Sequence, residues 1–218
     1  MVYWLTLLSD GGDFFNLFRY ITVRAGGAFL TSLLFGFVFG KPLINLLRRR
    51  QGRGQPIRSD GPEGHQSKAG TPTMGGALIL GALVVSTLLW ARLDNMHIWV
   101  VLFVTIGFGA IGFADDYAKV SKQTSAGVSG RVRLGLGFVI ALIAALVAAQ
   151  LHPEGLRLQV AVPVLKDTLV PFGILFFPFA MIVIVGTANA VNLTDGLDGL
   201  AVMPVMIAAA ALGVLAYA

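Results

Sequence analysis

Long apolar runs, broken by short segments dense in Gly, Asn, Asp, Lys and Arg, set the pattern of this chain. A helix rising ~1.5 Å per residue needs ~20 largely apolar residues to cross ~30 Å of hydrocarbon. On that measure the sequence predicts six transmembrane helices, at about Ile21 to Leu47, Met74 to Ala91, Met96 to Ala114, Arg133 to Leu151, Leu169 to Ala188, and Leu200 to Ala218. The first is densest between Ala28 and Gly40. Lys41 and Pro42 interrupt it near one end, where a Lys can snorkel to the headgroups. The leading MVYWLTLLSD has no basic start and too short an apolar core for a cleavable signal. It reads as an interfacial helix with Tyr3 and Trp4 at headgroup depth.

Composition agrees. The chain has 218 residues, 56% of them hydrophobic and 12% charged, against roughly 25% charged in soluble folds. Its mean hydropathy is +0.80. A water-soluble enzyme, a disordered tail and a nucleic-acid reader are excluded, and no nucleic-acid partner is expected. With no Cys, disulfides and thiolate chemistry are ruled out. Three scattered His make a zinc site improbable. The expected fold class is all-α: a polytopic helical membrane protein, one integral membrane domain over 1–218, with no internal repeat.

Charge placement predicts orientation. The loop from Arg48 to Thr73 carries six basic residues, and the loop after Asp115 holds Lys119 and Lys122, with Arg131 and Arg133 at its end. Loops of the other parity hold Arg92 in one case, and Arg157 and Lys166 in the other. The positive-inside rule then places the N-terminus outside and the loops at about 48–73, 115–132 and 189–199 in the cytoplasm.

That parity gathers the unusual polar residues on one face. In GFGAIGFADDYAKVSK, Asp115 and Asp116 end a long apolar run, where adjacent like charges are costly unless a cation or basic group compensates them. Paired carboxylates suit Mg²⁺ or Mn²⁺, which take oxygen ligands and keep waters or substrate phosphates in the other positions. The plainer reading is a solvated helix end. Asn189, Asn192, Asp195 and Asp198 recur every third residue, each step turning about 60° short of a full circle, so that neighbours share a helix face. Gly196 and Gly199 suggest a broken helix that aims all four inward; the alternative is a row of interfacial caps. In HQSKAGTPTMGG, Lys68 offers a charge for a phosphate, Thr71 and Thr73 offer hydroxyls, and Gly75 with Gly76 allows close backbone approach, although a simple turn before a helix explains the segment as well. Together these describe a cytoplasm-facing site with oxygen ligands for a hard cation and basic residues for phosphates, as phosphoryl transfer requires.

GTPTMGG from Gly70, FADDYAK from Phe113 and NAVNLTDGLDGLA from Asn189 resemble the signature segments of the phospho-N-acetylmuramoyl-pentapeptide transferase family, within the wider polyprenyl-phosphate sugar-1-phosphate transferases. The resemblance extends over essentially the whole chain. It implies transfer of phospho-N-acetylmuramoyl-pentapeptide from UDP to undecaprenyl phosphate, giving lipid I and UMP with Mg²⁺, at a bacterial cytoplasmic membrane, by a homodimer. Carried over by motif, Asp115, Asp116 and Asp195 are catalytic, Asn192 and Asp115 hold the metal, and Lys68, Thr73, Asn189, Asp198, Lys119 and Lys122 bind substrate. Family members continue with further spans, another loop Asp and a late His cluster, so the chain is expected to be an N-terminal portion that is inactive alone. Two rivals remain: a transferase using UDP-N-acetylglucosamine, and a cation transporter subunit, whose pathway would need polar lining deeper in the bilayer than any residue here provides.

Overall fold

The structure, a computed structural model, describes residues 1–52, 72–124, 127–162, 165, 168–194 and 200–217. Among the described residues, six α-helices carry the fold: α1 (Ile21–Gln51), α2 (Gly76–Trp90), α3 (Met96–Lys122), α4 (Gly130–Leu151), α5 (Phe176–Thr194) and α6 (Val202–Tyr217). Each falls where the hydrophobic pattern puts a helix. Four stretches, α1, α3, α4 and α5 with the 3₁₀ turn before it, are long and apolar enough to cross a membrane. At 15 and 16 residues, α2 and α6 are shorter than the other four. The chain is a multi-pass membrane protein.

Several boundaries differ from the sequence reading, among them the start of α4 at Gly130 and the end of α5 at Thr194, which takes Asn189 and Asn192 out of the expected loop and into a helix. With Pro42 inside it, α1 runs past the expected Leu47 to Gln51; a proline costs one ladder bond, and helices in membrane proteins tolerate this where neighbouring groups satisfy the freed carbonyl. Helix α3 does not stop at Ala114. It continues two turns to Lys122, so Asp115 and Asp116 lie inside a helix and can use i,i+4 partners. Before α5, the residues from Leu169 are not helical: Leu169–Pro171 (β2) pairs antiparallel with Gln159–Ala161 (β1). Pro171 cannot donate to a helical ladder, and Gly173 at φ +52° redirects the backbone before α5 starts. The N-terminal segment forms two 3₁₀ helices, Val2–Leu8 and Phe14–Arg19. There Tyr3 receives the guanidinium groups of Arg24 and Arg92 at 5.1 and 4.9 Å from its ring centroid.

Two compact units divide the chain, 1–136 and 137–218. In the first, α1 packs along α2 and α2 packs on α3. Close approach of α1 and α2 depends on Gly27, where a Cβ would overlap the indole of Trp90. The same indole donates Nε1–H to Thr31 Oγ1 at 2.9 Å. In the second unit, the buried positions of α4 include Ala141, Ala144, Ala145 and Ala149, whereas Leu142, Ile143 and Leu146 are exposed. Small residues inward and large ones outward is the arrangement expected in lipid, where burying Leu gains little and close backbone approach gains dispersion.

Candidate active site

The site in the first unit is built on the last two turns of α3. Asp115 is 6% exposed although charged. Its Oδ1 accepts the Val128 backbone N–H at 2.8 Å. Its Oδ2 lies 2.7 Å from Lys119 Nζ, one turn further along, and 3.5 Å from Arg133 Nη1 on α4. Gly127 brings the Val128 amide into reach: at φ +57° it occupies the left-handed region, and a Cβ there would overlap the Asp115 carboxylate. Both oxygens of Asp115 are therefore engaged by the protein, which is what a buried charge needs.

Asp116, one residue on, points to a different environment. Its side chain is 30% exposed, with Lys119 Nζ 3.5 Å from Oδ1. Its Oδ2 accepts the Thr73 hydroxyl at 2.8 Å. Thr73 is held in turn by Gln51 at the end of α1, whose Nε2 donates to Thr73 O at 3.0 Å and whose Oε1 accepts the Thr73 N–H at 2.9 Å. Next in the chain, Met74 has φ +72°, a region where a residue with a Cβ is strained. Lys119 thus lies between two carboxylates, one buried and fully occupied, the other half open.

Five of the expected site residues fall in this unit and are described: Thr73, Asp115, Asp116 and Lys119 meet, whereas Lys122 is exposed, one turn past Lys119. Asn189 and Asn192 belong to the second unit, on the last turns of α5. Asn189 is half-buried and donates Nδ2–H to Val185 O at 2.8 Å, and Asn192 is exposed. Lys68, Asp195 and Asp198, with the glycines expected to break the helix there, lie outside the described residues. Sequence reasoning missed Gln51, Gly127 and the site role of Arg133. Arg133 was visible only as one more basic residue at a loop end. Gln51 carried no signal of its own.

Among the described residues, no three His, Cys, Asp or Glu side chains come together to hold a metal ion. Of the two carboxylates described, that of Asp116 is the more open, its side chain 30% exposed against 8% for Asp115. One carboxylate completed by substrate phosphates and waters fits Mg²⁺, which seldom has an all-protein cage. Asp115, expected among the metal ligands, has its Oδ1 on an amide and its Oδ2 on Lys119, so of the pair Asp116 is the better placed to meet a cation.

A family model described as glycosyl transferase family 4 matches residues 98–218. A phospho-N-acetylmuramoyl-pentapeptide-transferase signature matches residues 68–80, the segment that holds Thr73. Curated relatives called phospho-N-acetylmuramoyl-pentapeptide-transferase include one from Ruegeria sp. (strain TM1040), 72% identical over 100% of this chain and 61% of its own length. That of Ruegeria pomeroyi is 71% identical over the same shares. One from Maricaulis maris is 58% identical over 96% of this chain and 59% of its own length. The chain thus spans about three-fifths of the length of these relatives.

Proposed function

Because the chain belongs to glycosyl transferase family 4, we propose that it carries the phosphate-handling part of a phospho-N-acetylmuramoyl-pentapeptide transferase. The whole protein moves phospho-N-acetylmuramoyl-pentapeptide from its UDP carrier to undecaprenyl phosphate. An oxygen of the lipid phosphate attacks the sugar-bearing phosphorus, the P–O bond to UMP breaks, and the products are lipid I and UMP. The observation that carries this reading is the unequal pair: Asp115 caged by Lys119, Arg133 and the Val128 amide, beside Asp116, more exposed and held by the Thr73 hydroxyl and, at longer range, by Lys119.

Each residue then has a task. Reactants bearing several phosphate charges must approach a site whose own carboxylates would repel them, and Lys119 and Arg133 together offset the charges of Asp115 and Asp116. Asp116, aimed by the Thr73 hydroxyl, faces the phosphates and orients them. Mg²⁺, with Asp116 as the carboxylate this unit offers, would supply neutralisation of phosphate charge when bound; Asn192 and Asp115 are its ligands by family motif alone. Lys68 and Asp198 are assigned to the nucleotide, with Lys122 and Asn189 in support, and Asp195 to catalysis. The site faces the cytoplasm of the bacterial inner membrane, as the basic loops predict.

The test is UMP release from UDP-N-acetylmuramoyl-pentapeptide by the full-length protein in detergent, with undecaprenyl phosphate and Mg²⁺. Wild type should turn over and Asp116→Asn should lose at least about 100-fold, as expected for a group acting on the reacting phosphates. Turnover of UDP-N-acetylglucosamine in preference to the peptide-bearing donor would replace this reading with the rival sugar transferase. Wild-type rates from Asp116→Asn would overturn the assigned site.

A further inference from the structure

The end of α1 and the start of α2 are joined through one side chain. Gln51 is the last residue of α1 and is 9% exposed, an uncharged polar group buried at a helix end that is otherwise Arg48, Arg49 and Arg50. Its primary amide matches the Thr73 peptide donor for acceptor and acceptor for donor, at 3.0 and 2.9 Å. Few side chains could replace it. Glu would set a second acceptor against the Thr73 carbonyl, Leu offers neither bond, and Asn is a methylene shorter.

The consequence lies one bond further on. With its N–H and C=O both clamped, Thr73 keeps only the rotation about Cα–Cβ, and that rotation is fixed by the 2.8 Å bond from Oγ1 to Asp116 Oδ2. Met74, at φ +72°, is strained in the next position, and the two Gln51 bonds oppose relaxation of that strain into Thr73. A residue on α1 thereby controls the direction of a carboxylate on α3.

We propose that Gln51 is a positioning residue for phosphoryl transfer, acting through Thr73 to aim Asp116. The proposal rests on the transferase reading above. Kinetics of UMP release by the full-length protein would compare Gln51→Leu, Gln51→Glu, Thr73→Val and the double variant Gln51→Leu/Thr73→Val. Each Gln51 variant should lower kcat by about 10- to 100-fold, since a misaimed group forfeits orientation, while KM for the donor stays within about twofold. The double variant should be no slower than the slower single one, because both changes remove the same aim of Asp116. A structural role at the end of α1 would instead make the two losses multiply. Gln51→Glu keeps the shape of the side chain and carries the test if Gln51→Leu does not fold. Hydrogen exchange at the Thr73 amide, faster in both Gln51 variants, reports the clamp without turnover. Wild-type kcat in either Gln51 variant, multiplied losses in the double, or unchanged exchange would each overturn the proposal. Failure of the wild type to release UMP would overturn the transferase reading instead, and the exchange measurement would still decide the clamp.

Discussion

Gly127 lies against the carboxylate of Asp115 with its backbone at φ +57°, so close that a Cβ would overlap Oδ1. Two separate constraints meet at this position. The left-handed conformation costs a residue with a Cβ about 1 to 2 kcal/mol, and the overlap forces either the loop or the carboxylate to move. Gly127→Ala is therefore expected to break the bond from the Val128 amide, loosen Asp115 and lower kcat by at least about tenfold, the scale of a lost orienting contact. Thermal unfolding in detergent should fall as well. An alanine variant with wild-type kcat and wild-type stability would show that the loop does not hold Asp115.

The two cations on Asp115 are predicted to be unequal. Lys119 stands at 2.7 Å with its side chain 20% exposed, whereas Arg133 stands at 3.5 Å with its side chain 34% exposed. Removing one partner of a largely buried pair leaves a charge uncompensated, and Lys119→Met should cost about 2 to 3 kcal/mol, somewhat below the range for fully buried pairs. Arg133→Met should cost less than about 1 kcal/mol, as longer and better-solvated pairs do. Chemical or thermal unfolding of both variants checks the order. Equal losses would mean that Arg133 carries as much of the charge compensation as Lys119.

The described helices, their order and the Asp115–Asp116 pair were legible in the sequence, because hydrophobic periodicity and helix spacing are local properties, although among the described residues only four of the six expected spans are long and apolar enough to cross a membrane. Residues that complete the site were not. Gln51 meets Thr73 across 22 residues, and Val128 meets Asp115 across 13; such pairings depend on how chain segments return in space, which no window of the sequence reports. The short hairpin of β1 and β2 was hidden for another reason. Leu169–Pro171 is apolar, and apolar runs of this length read equally as the start of a helix or as strand.

Packing of α1 on α2 gives a prediction independent of the chemistry. Gly27 leaves space for the Trp90 ring, and Trp90 donates to Thr31 on the next turn of α1. Gly27→Val should force the helices apart and cost about 1 to 3 kcal/mol, the usual penalty of overpacking. Thr31→Val removes one hydrogen bond in a lipid setting and should cost only about 0.6 kcal/mol. Unfolding midpoints in one detergent give both values. A Gly27→Val protein as stable as wild type would mean that Trp90 can turn away without loss.

Asn189 and Asn192 sit three residues apart on α5, yet their surroundings divide their roles. Asn189 is half-buried and spends an amide hydrogen on the Val185 carbonyl of its own helix, while Asn192 is exposed. A ligand must present its oxygen where an ion and its waters can reach it, and the exposed Asn192 meets that condition better than the half-buried Asn189, whose side chain is tied back along its own helix. Asn192→Ala is therefore expected to raise the Mg²⁺ concentration for half-maximal UMP release by more than about 100-fold, and Asn189→Ala by at most about 10- to 100-fold, the range seen when groups behind the ligands are lost. The Mg²⁺ titration should separate the two even where both variants lower the maximal rate. If Asn189→Ala shifted the Mg²⁺ requirement more than Asn192→Ala, the ligand assignment would pass from Asn192 to Asn189, one turn earlier on the same helix.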